Sequence, residues 1–131
     1  MRSILMVGAL VGLGLASPAL AAPAFDGSAP LICAVTSMFD CTREPGCERD
    51  VPDEGDELWR VNVEKRVVSN LDGSRGSPIS TVEHKDGQLL LQGMQNGWAW
   101  SLALHEETGR MSAGITDTDG VIVLSGSCAA Q

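Results

Sequence analysis

The stretch Lys85 to Gly120 reads KDGQLLLQGMQNGWAWSLALHEETGRMSAGITDTDG, and it reverses direction four times within thirty-six residues. The reversals are Lys85-Asp86-Gly87, Gln95-Asn96-Gly97, Glu107-Thr108-Gly109 and Asp117-Thr118-Asp119-Gly120. Asn, Asp and Gly tolerate positive φ, and the primed turns built from them match the right-handed twist of paired strands. The runs between the turns are short, apolar and alternating. This half of the chain therefore reads as an antiparallel meander.

Working outward, eight strands are expected: Leu31 to Phe39, Leu58 to Lys65, Arg66 to Asn70, Ile79 to His84, Gln88 to Met94, Trp98 to His105, Arg110 to Thr116 and Val121 to Cys128. The alternation is clearest in the sixth, where Trp98, Trp100, Leu102 and Leu104 share one face and Ala99, Ser101, Ala103 and His105 the other. Trp59, Val61 and Val63 alternate in the same way. The second and third strands, divided at Lys65-Arg66, can also be read as one bent strand. No segment has the pattern of a helix. The fold class expected is all-β, a meander closed into an up-and-down barrel, which leaves no exposed sheet edge. An open sheet or sandwich is the alternative. Closure makes the first and last strands neighbours.

The N-terminus has the pattern of a cleaved signal peptide over residues 1–21. Arg2 supplies a short positive region, Ile4 to Leu15 an apolar core, and Ala19-Leu20-Ala21 a small-x-small cleavage site. The apolar core is shorter than the roughly 20 residues a spanning helix needs. Residues 22–131 then form a single domain, exported to the periplasm or the exterior, with no membrane span after cleavage.

All four cysteines lie beyond that leader, and four cysteines allow three pairings. Cys33 and Cys41 lie in one extended segment, about 26 Å apart at strand rise, too far for a disulfide unless the segment folds back. Cys41 and Cys47 bracket the turn residues Pro45-Gly46, so they can meet, and Cys33 is left for Cys128. In a closed barrel that second bond joins the first and last strands. Zinc is disfavoured because paired C-x-x-C spacing is absent, and the same absence argues against a redox-active pair. No cofactor or metal is expected.

The formal charge is −8 at pH 7, and losing Arg2 with the leader takes it to −9. Nucleic acid and anionic membranes are therefore poor partners. The stretch 48–57 carries Asp50, Asp53, Glu54, Asp56 and Glu57 around Pro52 and Gly55, and reads as an acidic exposed loop that chiefly solubilises, with binding of a basic partner protein or a cation as the alternative.

From Phe25 onward the chain resembles an uncharacterised family of small exported Gram-negative bacterial proteins. The resemblance rests on Phe25-Asp26-Gly27-Ser28, Pro30-Leu31-Ile32-Cys33, Leu89-Leu90-Leu91-Gln92-Gly93, Gly97-Trp98-Ala99-Trp100-Ser101-Leu102, Thr108-Gly109-Arg110 and Gly126-Ser127-Cys128. It implies a fold and an exported life, with no activity attached. The overall plan also resembles lipocalin-like and lysozyme-inhibitor-like small β-barrels. Ser125-Gly126-Ser127 is similar to a Ser-Gly stretch of one inhibitor family, but three small residues recur by chance and close packing beside a disulfide is the favoured reading.

Catalytic chemistry has few carriers. His84 and His105 lack a nucleophile-elbow partner and read as solvent-facing. Glu106 and Glu107 are adjacent at a hairpin and read as a solvated tip. Asp117, Asp119 and Gly120 match a fragment of a calcium loop, without its closing Glu. No catalytic site and no enzyme activity are expected, a small hydrolase using either histidine being the weakest alternative.

The aromatic residues Trp59, Trp98 and Trp100 are assigned to the core, or to a ligand cavity made possible by Gly93, Ala113 and Gly114. The function expected is a non-enzymatic binding or interaction module. Its two forms are an acidic inhibitor of a basic protein and a carrier of a small apolar ligand.

Overall fold

Nine antiparallel strands account for most of residues 24–131, which are the residues the computed structural model describes; the expected leader, 1–21, lies outside them. They are β1 (Leu31–Thr42), β2 (Cys47–Asp50), β3 (Leu58–Asn62), β4 (Val67–Asn70), β5 (Gly76–Lys85), β6 (Gln88–Gln95), β7 (Trp98–His105), β8 (Arg110–Thr116) and β9 (Gly120–Ala130). Each of β3 to β9 pairs with its neighbour in sequence, and β9 pairs back onto β1 from Leu31↔Ala130 to Thr42↔Gly120. Eight strands thus close into an up-and-down barrel. The ninth, β2, is an addition along β1.

The extra strand corrects the reading of 48–57 as one loop. Cys41 pairs with Cys47 in register, and their disulfide forces the chain to run back along β1 as far as Met38↔Asp50. The acidic side chains of β2 are all exposed, so their charge reported exposure and concealed the backbone pairing. Charged side chains suit an edge strand, which they protect from pairing with another chain. The loop proper is 51–57. It separates β2 from β3, both of which lie along the same side of β1.

Lys65-Arg66 is a true reversal. Arg66 has φ +52° and its N–H donates to Val63 O at 3.1 Å, so β3 and β4 are separate strands and β3 ends at Asn62. β5 starts at Gly76, three residues before the expected Ile79.

Cys33 faces Cys128 across the seam between β1 and β9 and is bonded to it. Free cysteines are absent among the described residues. Two disulfides belong to an oxidising compartment rather than the reducing cytosol. Gly126 lies beside this seam. A Cβ there would stand 1.9 Å from Ala34 O and 3.0 Å from Met111 Cε, so close packing accounts for Ser125-Gly126-Ser127.

The inward faces of the strands make one core. Leu31, Leu89, Leu91, Leu104, Val61 and Cys33 are its largest fully buried members. Each such leucine contributes about 2 kcal/mol by leaving water. One end of the barrel is stoppered. Phe25 packs on the core, its N–H donates to Glu106 O at 3.1 Å, and its ring lies where a Cβ on Gly109 would need room. Gly27 is pressed equally hard, a Cβ there falling 2.7 Å from Val63 Cγ2.

Candidate ligand-binding site

Toward the other end the interior is less completely filled, and a cavity of about 180 Å³ remains there. Strand alternation supplies its apolar wall. Trp59 of β3, Val68 of β4, Trp100 and Leu102 of β7, Ala113 and Ile115 of β8 all line it. For scale, a cavity of roughly 150 Å³ lined by aliphatic and aromatic side chains accommodates benzene. The space therefore suits one ring or an equivalent aliphatic body.

Both tryptophans are anchored by their N–H groups. Trp59 Nε1 donates to Asp56 O at 2.9 Å, and Trp100 Nε1 donates to Ser77 Oγ at 2.7 Å. A half-buried indole held this way keeps its orientation, and its carbon surface is left for the cavity. The small residues divide three ways. Trp100 fills the space at Gly93, Ala113 lines the cavity, and Gly114, of opposite parity to Ala113, does not line it and so adds no room there, contrary to expectation.

Trp98 departs from its assignment to this core. It pairs with Gln95 and has the same parity as Trp100, yet it is the first residue of β7, 39% exposed, and does not line the cavity. Alternation tells which way a side chain points. It carries no information on where along the strand the core stops.

The mouth is built by loop 51–57 and the 70–76 turn between β4 and β5. Arg75 grips Asp56 with two hydrogen bonds, Nη2 to Oδ1 at 2.6 Å and Nη1 to Oδ2 at 3.0 Å. Asn70 shapes the turn, accepting from the Arg75 N–H at 3.0 Å and donating to Ser74 Oγ at 3.0 Å. Ser74 in turn holds the Asp72 carboxyl below its usual range, through its hydroxyl and then its backbone N–H. Asp56 and Arg75 are nineteen residues apart in sequence. Sequence reading missed their pairing, because nothing local distinguishes Asp56 among the acids of its loop.

The remaining chemical candidates lie elsewhere. His84 Nδ1 contacts Glu106 Oε1 at 2.5 Å at the stoppered end, and the Glu106 side chain is only 13% exposed, so this residue is packed against its partner and does not form a solvated tip. Glu107 and His105 are exposed, as expected. Asp117 Oδ1 accepts from the N–H groups of Asp119 and Gly120 at 2.8 and 3.1 Å, which makes it a turn-forming residue of the β8–β9 hairpin. Among the described residues no group of three His, Cys, Asp or Glu side chains is placed to hold a metal ion, and no helix is long and apolar enough to cross a membrane.

The fold and the site together define a disulfide-stapled, eight-stranded β-barrel with a tryptophan-lined cavity at one end. The chain matches no protein-family model, no curated protein and no solved structure.

Proposed function

We propose that this protein is a non-enzymatic binding module, exported behind a cleaved signal peptide to the periplasm or exterior, which holds a small ligand with an apolar body in the open end of its barrel. The observation that carries the reading is the cavity of about 180 Å³ between Trp59 and Trp100. The two disulfides support the exported location. Pre-anchored aromatic walls support binding, because a site that needs no rearrangement loses little side-chain freedom when it is filled.

Native mass spectrometry of the untagged protein, purified from an oxidising host compartment, tests the reading. An added mass that disappears on denaturation is the expected result. In parallel, a fluorescent apolar probe should bind to the emptied barrel and lose affinity in Trp100→Ala while Trp98→Ala retains it. Equal affinity in all three proteins would remove the cavity from the proposal.

The exposed acids of β2 and loop 51–57 favour a second reading, an inhibitor that engages a basic protein through complementary charge. Its binding would weaken steeply with added salt, and salt-insensitive binding would count against it.

A further inference from the structure

We propose that the ligand is a small organic cation, an ammonium group carried on a single ring or short apolar body; this rests on the reading of the cavity as a ligand site. Three independent features converge on it.

The first is the distribution of charge. Asp53, Glu54, Asp56 and Glu57 stand on the loop beside the mouth and Asp72 on the neighbouring turn, with Asp117, Asp119 and the hairpin acids Glu44, Glu48 and Asp50 at the same end of the barrel. The basic side chains around that end are Arg43, Arg49, Arg60 and Arg75. Of these, Arg75 lines the cavity and is already bound to Asp56, and Arg60 is bound to Leu71 O. At the stoppered end, Lys65, Arg66, Lys85 and Arg110 more nearly balance Asp26, Glu64, Glu83, Asp86, Glu106 and Glu107. The negative charge of the molecule is thus concentrated where the cavity opens, and a low-dielectric recess focuses such a field. Cations are drawn to this mouth and anions repelled.

The second is the wall. Tryptophan is the strongest aromatic partner for a cation, through the negative face of its ring. With both N–H groups of Trp59 and Trp100 bonded to the protein, neither indole dipole is free to serve as a donor to an anion.

The third is the Asp56–Arg75 pair. It brings a cation to a carboxylate at the edge of the tryptophan-lined space, which is the arrangement a ligand ammonium would adopt. Arg75 is 58% exposed and Asp56 37% exposed, so the guanidinium can swing into water and leave the carboxylate to the ligand. An exposed ion pair of this kind is worth little and is readily exchanged. A ligand carboxylate would instead have to compete with Asp56 for Arg75 against the field of the whole mouth.

Three probes with one ring separate the possibilities: phenethylammonium, phenethyl alcohol and phenylacetate, titrated calorimetrically into the full mature protein with its disulfides intact. At low salt the cation should bind about tenfold more tightly than the alcohol, with phenylacetate weakest. The gap should narrow as ionic strength rises from about 0.01 M to about 0.5 M, where screening shortens to a few ångströms. Asp56→Asn should bring the cation-to-alcohol affinity ratio toward one, and Arg75→Gln should raise it by freeing Asp56. An alcohol that binds as tightly as the cation, or a ratio unmoved by Asp56→Asn, overturns the cation assignment and leaves the carrier reading standing. Failure of all three probes to bind overturns both.

Discussion

The indole of Trp100 occupies the space that a side chain at Gly93 would need: a Cβ on Gly93 would stand 2.4 Å from Trp100 Cζ2 and 2.3 Å from Pro78 O. The two residues face each other across the β6–β7 ladder, so the missing side chain on one strand is what lets the large one on the next lie over the barrel interior. One wall of the cavity is set by this exchange.

Gly93→Ala should therefore destabilise the protein by about 1–3 kcal/mol, the usual cost of overpacking a core, since one of the obstructing atoms, Pro78 O, is backbone. Denaturant unfolding measures the loss. Near-UV circular dichroism should change as well, because the methyl can be accommodated only by moving Trp100, and an unchanged spectrum with unchanged stability would contradict the packing described.

Ser77→Ala should cost about 1–2 kcal/mol by leaving the half-buried Trp100 N–H without its partner. The same variant should lower affinity for an apolar probe by loosening the ring. Comparison with Ser80→Ala, whose hydroxyl donates to Gln92 O at 3.0 Å on the exposed outer surface, controls for the simple loss of a serine.

The two disulfides should differ in worth. Cys33–Cys128 spans ninety-five residues of sequence and Cys41–Cys47 spans six. In the chain-entropy account the first contributes about 4 to 5 kcal/mol and the second about 2. Paired alanine variants, compared by chemical denaturation, should lose stability in that order. The reverse order would mean that β2 and its loop matter more to the barrel than the seam does.

Acid stability should carry a small contribution from Asp26. Ser28 holds its carboxyl below the ordinary value of 3.8, by its hydroxyl first and its backbone N–H second. A carboxyl depressed in the folded state stabilises the fold above its unfolded value, and that stability is lost as pH falls through the lower, folded one. Thermal unfolding followed between pH 5 and pH 2 should show a shallower acid decline in Asp26→Asn than in the parent protein. The site is solvent-screened, so the difference should be small.

Much of this architecture was legible in the chain itself. Asp86-Gly87 and Asn96-Gly97 have positive φ at both residues, as the primed turns require, and the strands on either side fall where alternation placed them. The cysteine pairing was also legible, because eight residues of extended chain cannot be bridged and Pro45-Gly46 can turn. β2 was hidden because four exposed residues, Cys47 to Asp50, have no buried face to leave a period in the sequence. Trp98 was misplaced for a related reason, since its parity matches that of Trp100 but its depth does not.

By itself, then, the sequence determined the strands of the C-terminal meander, the turns between them and the cysteine partners, and it favoured a closed barrel over an open sheet, all of which follow from local backbone preference and the reach of an extended chain. Only the tertiary structure decided that Phe25 stoppers one end, that Trp59 and Trp100 wall a cavity at the other, and that Asp56 meets Arg75 at its mouth. Those relationships depend on the stagger of eight strands around a closed ring, which brings residues together across the barrel without leaving a mark on their neighbours in the chain.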